Sequence, residues 1–157
     1  MRILGIDPGT GILGFGVIDV DSKGAMRLVD AGVIRTPVKE DDAVRLLTIF
    51  DELSDIIATN KPTVMSVEKL FFSRNVTTAM TVSQARGVVL LLGKQSGMQL
   101  HEYTPMQIKQ AITGYGKADK KQIQEMVRVL LKLKEIPKPD DAADALAAAI
   151  TCAMSLR

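Results

Sequence analysis

The 157-residue sequence predicts an α/β fold, a mixed five-stranded sheet flanked by helices. Three observations carry that prediction. Five short apolar runs end in turn or loop chemistry, as buried strands do. Between them the apolar spacing switches to a helical period. The resulting order, β-β-β-α-β-α-β-α-α-α, places an antiparallel meander ahead of alternating helices and strands. The length suits one domain, 1–157, with a core of its own. Hydrophobic residues make up 46% and aromatics 4% with no Trp, so aliphatic side chains and Met must fill that core.

Residues 1–7 (MRILGID) run apolar into Pro-Gly-Thr-Gly, the end of a buried strand in a tight loop. Residues 13–20 and 26–36 are strand-like and joined through Asp21-Ser22-Lys23-Gly24, which is turn chemistry. Over 41–59 Leu47, Phe50, Leu53 and Ile57 recur at helical spacing. Residues 63–68 (TVMSVE) form the next strand, 76–95 a long helix, 98–103 a last strand, and 104–113 a helix opened by Thr-Pro. The loop GYGKA follows. Residues 119–133 are amphipathic, with Ile123, Met126, Val127 and Leu130 on one stripe, and an alanine-rich helix starts at Asp140. Asp7 and Pro8 interrupt the N-terminal run before it could act as a signal peptide, and the longest aliphatic stretch, 88–92, is too short to span a bilayer. One cysteine allows no internal disulfide. The expectation is a cytoplasmic location and no membrane.

Asp7 and Glu68 each close a central strand, and the functional crevice of an α/β sheet lies beyond such carboxyl ends. If the strands are parallel neighbours, their ends stand about 5 Å apart. Asp140 and Asp141 suit a helix N-terminus, where a side-chain oxygen caps a free N–H. Asp144 does not fit that account, because it lies a turn further into a helix apolar on all faces, where an unpaired carboxylate loses its hydration. Asp141 and Asp144 share a helix face. Docked beside the sheet, they would complete a four-carboxylate cluster, whose oxygens suit a hard cation such as Mg²⁺ or Mn²⁺. A bound metal would compensate Asp144. From 107 to 138, eight basic residues stand against three acidic ones, a net of +5 that fits either a phosphate-facing surface or a solvated helix face.

Four segments in order, GIDPGTGILGFGVID near the start, VEKLFFSRN at 67–75, QARG at 84–87 and DAADALAAAIT at 141–151, resemble the RuvC family of bacterial Holliday-junction resolvases. The resemblance implies a ribonuclease H-like fold, a homodimer, and cutting of four-way junction DNA by paired symmetric nicks with divalent metal. It maps the four catalytic acids onto Asp7, Glu68, Asp141 and Asp144. Two Mg²⁺ ions per site are expected, with Mn²⁺ able to substitute, Asp7 bridging them, Glu68 and Asp144 holding one each, and Asp141 completing the cluster or orienting water. The loop 114–121 resembles the family's junction-contacting region, and association with the RuvAB branch-migration complex is carried over with the family. Lys109, Lys120 and Lys121 are the first expected phosphate contacts, followed by Arg74, Lys117 and Arg86. Phe71 is expected to stack on a base and Phe72 to join the core.

Three rivals bear on these residues. The opening segment also resembles the phosphate hairpin of actin, sugar-kinase and Hsp70 ATPases, but one lobe without a second phosphate loop cannot clamp a nucleotide. A related ribonuclease H-like nuclease acting on RNA, the YqgF type, shares the fold. A non-catalytic junction-binding module would gain nothing from carboxylates aimed at phosphates.

Overall fold

The computed structural model describes residues 1–69 and 76–156. The expected roles of Phe71, Phe72 and Arg74 fall outside the described residues. The elements are β1 (Arg2–Asp7), β2 (Ile12–Val20), β3 (Met26–Arg35), α1 (Asp42–Asn60), β4 (Val64–Glu68), α2 (Val76–Gln95), β5 (Gln99–Tyr103), α3 (Pro105–Thr113), α4 (Lys120–Leu130) and α5 (Asp140–Ser155). Sequence and structure agree on their order. The sheet runs β3-β2-β1-β4-β5, with β1 antiparallel to β2 and parallel to β4, and β5 parallel to β4.

Alternation along the central strands divides the core in two. Leu4 and Ile6 of β1, Leu13, Phe15 and Val17 of β2, and Met65 and Val67 of β4 meet α1 and α2 on one face. Ile3, Ile18 and Val64 point the other way, to α3, α4 and α5. On that second face the strands carry glycine where α5 crosses. A Cβ on Gly5 would lie 2.0 Å from the carbonyl oxygen of Ala145, and one on Gly14 2.0 Å from that of Asp141. One on Gly16 would meet Leu146 Cδ2 at 2.6 Å. The alanine-rich α5 is therefore seated backbone-to-backbone on the sheet, antiparallel to β1. Ser66 Oγ donates to the Ala148 carbonyl at 2.7 Å, tying β4 to the same helix.

The helix starts follow from local chemistry. Asp41 caps α1 through Val44 N, while Thr104 with Gln107 and Asp119 with Gln122 form reciprocal capping boxes at α3 and α4. The expectation that an aspartate caps α5 is corrected. Its N-cap is Pro139, with no side-chain cap, and Asp140 instead accepts a hydrogen bond from Gln124 Nε2 at 3.0 Å. The expected helix 119–133 ends sooner, because Lys132 takes a left-handed φ of 55°. Among the described helices, α2 is the one long and apolar enough to cross a bilayer by length and composition, so the stretch 88–92 understated its apolar length. Here Ala85, Val89 and Leu92 of α2 are buried against the sheet.

Seating α5 on glycine gives a graded expectation. Gly14→Ala forces backbone apart and should cost about 1–3 kcal/mol in urea denaturation. Gly32→Ala should cost less, since its added carbon would meet only Phe15 ring atoms at 3.0 and 3.1 Å, and a side chain can swing aside.

Candidate active site

Asp7 is the last residue of β1, and Glu68 holds the same place on β4, one step beyond the Ile6–Val67 register pair. Both lie on the α5 face by alternation, Asp7 two residues after Gly5 and Glu68 two after Ser66. Gly14 is the register partner of Asp7, and the backbone of Asp141 lies against Gly14. A glycine in β2 thus seats the α5 N-terminus beside Asp7. The loop after Asp7 is held from the other side, where Thr36 Oγ1 donates to the Thr10 carbonyl at 2.6 Å and Thr36 N to the Gly11 carbonyl at 3.1 Å. Arg45 Nε of α1 donates to Thr36 Oγ1 at 3.0 Å. Nothing in the sequence marked Thr36 or Arg45 for this.

The carboxylates feel one another. Burial, followed by the charges of Glu68, Asp144 and Asp141, pushes Asp7 up to about 8, and Asp7 donates a hydrogen bond to Glu68. Burial raises Glu68 as well, with Asp144 adding to the shift, while its bond to Asp7 and the charges of Lys109 and Lys120 oppose it. Asp144 is raised by burial against the pull of Lys120, whose Nζ stands 3.2 Å from its carboxylate and 3.5 Å from that of Asp140. The sequence posed Asp144 as a buried charge requiring a metal. In the structure it is half-buried and its counter-charge is Lys120, fixed as the first residue of α4 by the Asp119 cap. Among the described residues, no three His, Cys, Asp or Glu side chains are gathered into a ready-made metal cage.

A cleft of about 300 Å³ opens between α3, α4 and α5, lined by Glu68, Lys109, Lys120 and Asp144. Its walls carry both signs, Glu68 at the end of β4 and Asp144 on α5 against lysines of α3 and α4, as a phosphodiester with an attendant cation requires. The donors are all oxygen, which fits a hard divalent ion. Lys117 and Lys121 are exposed on the adjoining loop and helix. Arg86 is not brought to this cleft. It lies on α2, across the sheet, and pairs with Glu102 of β5.

A protein-family model described as "Crossover junction endodeoxyribonuclease RuvC" matches residues 3–152. The RuvC of Heliobacterium modesticaldum is 60% identical, with 99% of this chain and 96% of that one covered. That of Brevibacillus brevis is 57% identical over 96% and 90%. A Thermus thermophilus RuvC structure, solved in complex with a Holliday junction substrate, superposes with a TM-score of 0.94 at 38% identity, covering 100% of this chain and 95% of that one. The yeast mitochondrial resolvase Ydc2, at 14% identity and a TM-score of 0.71, shares the fold.

The Asp7 environment sets a pH dependence. Its folded value near 8 lies above its ordinary 3.8, so the folded state holds a proton that the unfolded state releases between those values. Stability of chelator-treated protein should therefore fall as pH rises from about 4 to 8. Asp7→Asn should flatten that slope, leaving the part due to Glu68 and Asp144, and should melt several degrees above the parent at pH 8.5 while staying level with it near pH 4. Thermal melts at the two pH values check it.

Proposed function

The chain belongs to the RuvC family of crossover junction endodeoxyribonucleases, and we propose that it resolves four-way (Holliday) DNA junctions in recombination and repair by paired symmetric nicks. The observation that carries this reading is the cleft, where Glu68 and Asp144 face Lys109 and Lys120, with Asp7 hydrogen-bonded to Glu68 behind it. We assign catalysis and metal binding to Asp7, Glu68, Asp141 and Asp144, and two Mg²⁺ per site, replaceable by Mn²⁺, as the cofactor. When bound, such ions supply an activated water and neutralise charge on the leaving 3′ oxygen. The chain's part is to hold the acids and the phosphate. The field that raises the proton affinity of Asp7 also raises its affinity for a cation. Lys120 sits where it can pass from Asp144 to a phosphate, and Lys109 lines the same cleft. Lys117 and Lys121 extend the positive surface along the loop, with Phe71, Arg74 and Arg86 retained as further DNA contacts on family grounds.

The homodimer is also part of this reading. On α2 Met80 and Leu91 are each 62% exposed, and between them Gly87 has no neighbour within 4 Å of its would-be Cβ. This apolar stripe supports two-fold pairing through α2, which matches the approximate two-fold symmetry of a junction. Cytoplasmic location, a single nuclease domain spanning 1–157 and cooperation with RuvAB rest on family membership.

Cleavage of a synthetic mobile junction, set beside linear duplex and an RNA–DNA hybrid in Mg²⁺, tests the activity. Paired nicks confined to the junction and lost in Asp7→Asn and in Asp144→Asn are expected. Preferential cutting of the hybrid would move the reading to an RNA-directed nuclease, and binding without cutting to a junction-binding module. For the lysines, Lys120→Ala combined with Lys121→Ala should reduce the log–log salt slope of junction binding by about two. Replacing Met80 and Leu91 together by Asp should give monomers in light scattering and uncouple the two nicks.

A further inference from the structure

Beside the carboxylate cleft lies a second cavity of about 570 Å³, and Ala118 and Asp119 stand in the walls of both. Its surface is mostly apolar, with Tyr115, Met126 and Ile136 among the residues that line it. Tyr115 is 56% exposed, a large aromatic left in water at the start of the glycine loop. Its backbone is fixed, because Tyr115 N donates to Thr113 Oγ1 at 3.1 Å and that hydroxyl donates to the Tyr115 carbonyl at 3.0 Å. Gln110 Nε2 holds the preceding Gly114 carbonyl at 3.0 Å. The ring is thus presented by an ordered loop.

The charges around the cavity are not balanced. Its two acids are already engaged, Asp119 in capping α4 and Glu125 in an ion pair with Arg128. Lys121 in the wall and Lys117 on the same loop are exposed, and neither has an ion-pair partner among the described residues. An aromatic face, an apolar floor and two uncommitted cations, continuous with a phosphodiester cleft, make up the chemistry that recognises a nucleotide unit. Bases stack on aromatic rings whatever their identity, while lysines hold the phosphates on either side.

We propose that this cavity is a nucleobase subsite, which takes one unstacked base of the junction against Tyr115 while Lys117 and Lys121 hold the flanking phosphates. The proposal rests on the junction-resolving reading and deepens it. Tyr115 is a binding residue, outside the reacting atoms, and it adds a contact one cavity away from the acids.

An abasic scan tests it. Junctions carrying single abasic sites around the exchange point are titrated in Ca²⁺ against the parent, Tyr115→Ala and Tyr115→Phe, with affinity read by fluorescence anisotropy. At one position the missing base should weaken the parent about tenfold, and Tyr115→Ala should weaken an intact junction by the same factor. The two together should lose no more than either alone, because both remove one contact. Tyr115→Phe should bind like the parent. Effects that multiply at every position, or an unchanged Tyr115→Ala beside a parent that binds, would overturn the subsite and leave the resolvase standing. A change of oligomeric state in Tyr115→Ala with no change in junction affinity would make the cavity a protein contact and also overturn it. Failure of the parent to bind any junction would remove both readings.

Discussion

A helix can lie directly on a sheet only where the strands offer no side chains, and this protein meets that condition at Gly5, Gly14 and Gly16. The close seat of α5 decides the rest. Asp141 is at Asp7 because its own backbone rests on Gly14, the register partner of Asp7. Asp144, one turn on, then faces the end of β4, where Glu68 is placed by the parallel β1–β4 register. The alanines of α5 serve the same end, since larger side chains would lift the helix and carry its aspartates away. Positions that look inert in composition therefore set the geometry of the reactive ones.

Carboxylates brought together this way oppose folding, and the structure answers in two ways. Asp7 keeps its proton to about pH 8 and shares it with Glu68. Asp144 is paired with Lys120, whose position depends on the Asp119–Gln122 capping box at the start of α4. A partly exposed pair of that kind contributes little stability by itself. Lys120 stands between that acid and the open cleft, where its ammonium is exposed to whatever enters.

The two faces of the sheet divide the labour. The face covered by α3, α4 and α5 carries the acids, the cleft and most of the excess lysines. The face covered by α1 and α2 carries the larger aliphatic side chains of the core, the Arg86–Glu102 pair and the exposed stripe of α2. A site on one face and an apolar stripe beyond the other allow two copies to associate without covering either cleft. The Thr10–Thr36–Arg45 tie spans this division, bracing the loop after Asp7 from α1.

Much of this was legible in the sequence. Period and turn chemistry located all ten elements in order, since side-chain alternation and capping are local properties. Asp7 and Glu68 stood out as strand-end acids, and the spacing of Asp141 and Asp144 put them on one helix face. The sequence misjudged what stands opposite Asp144, because Lys120 lies 24 residues away and reaches it only through the packing of α4 on α5. It offered Arg86 to the nucleic acid, and could not show that folding also pairs this guanidinium with Glu102 of β5 across the sheet. It passed over the glycines of β1 and β2, whose meaning appears only when a helix backbone lies on them. The chain by itself determined which residues could react. Tertiary structure decided which of them meet, because a charge acts through the neighbours that folding gives it, and those neighbours are distant in sequence.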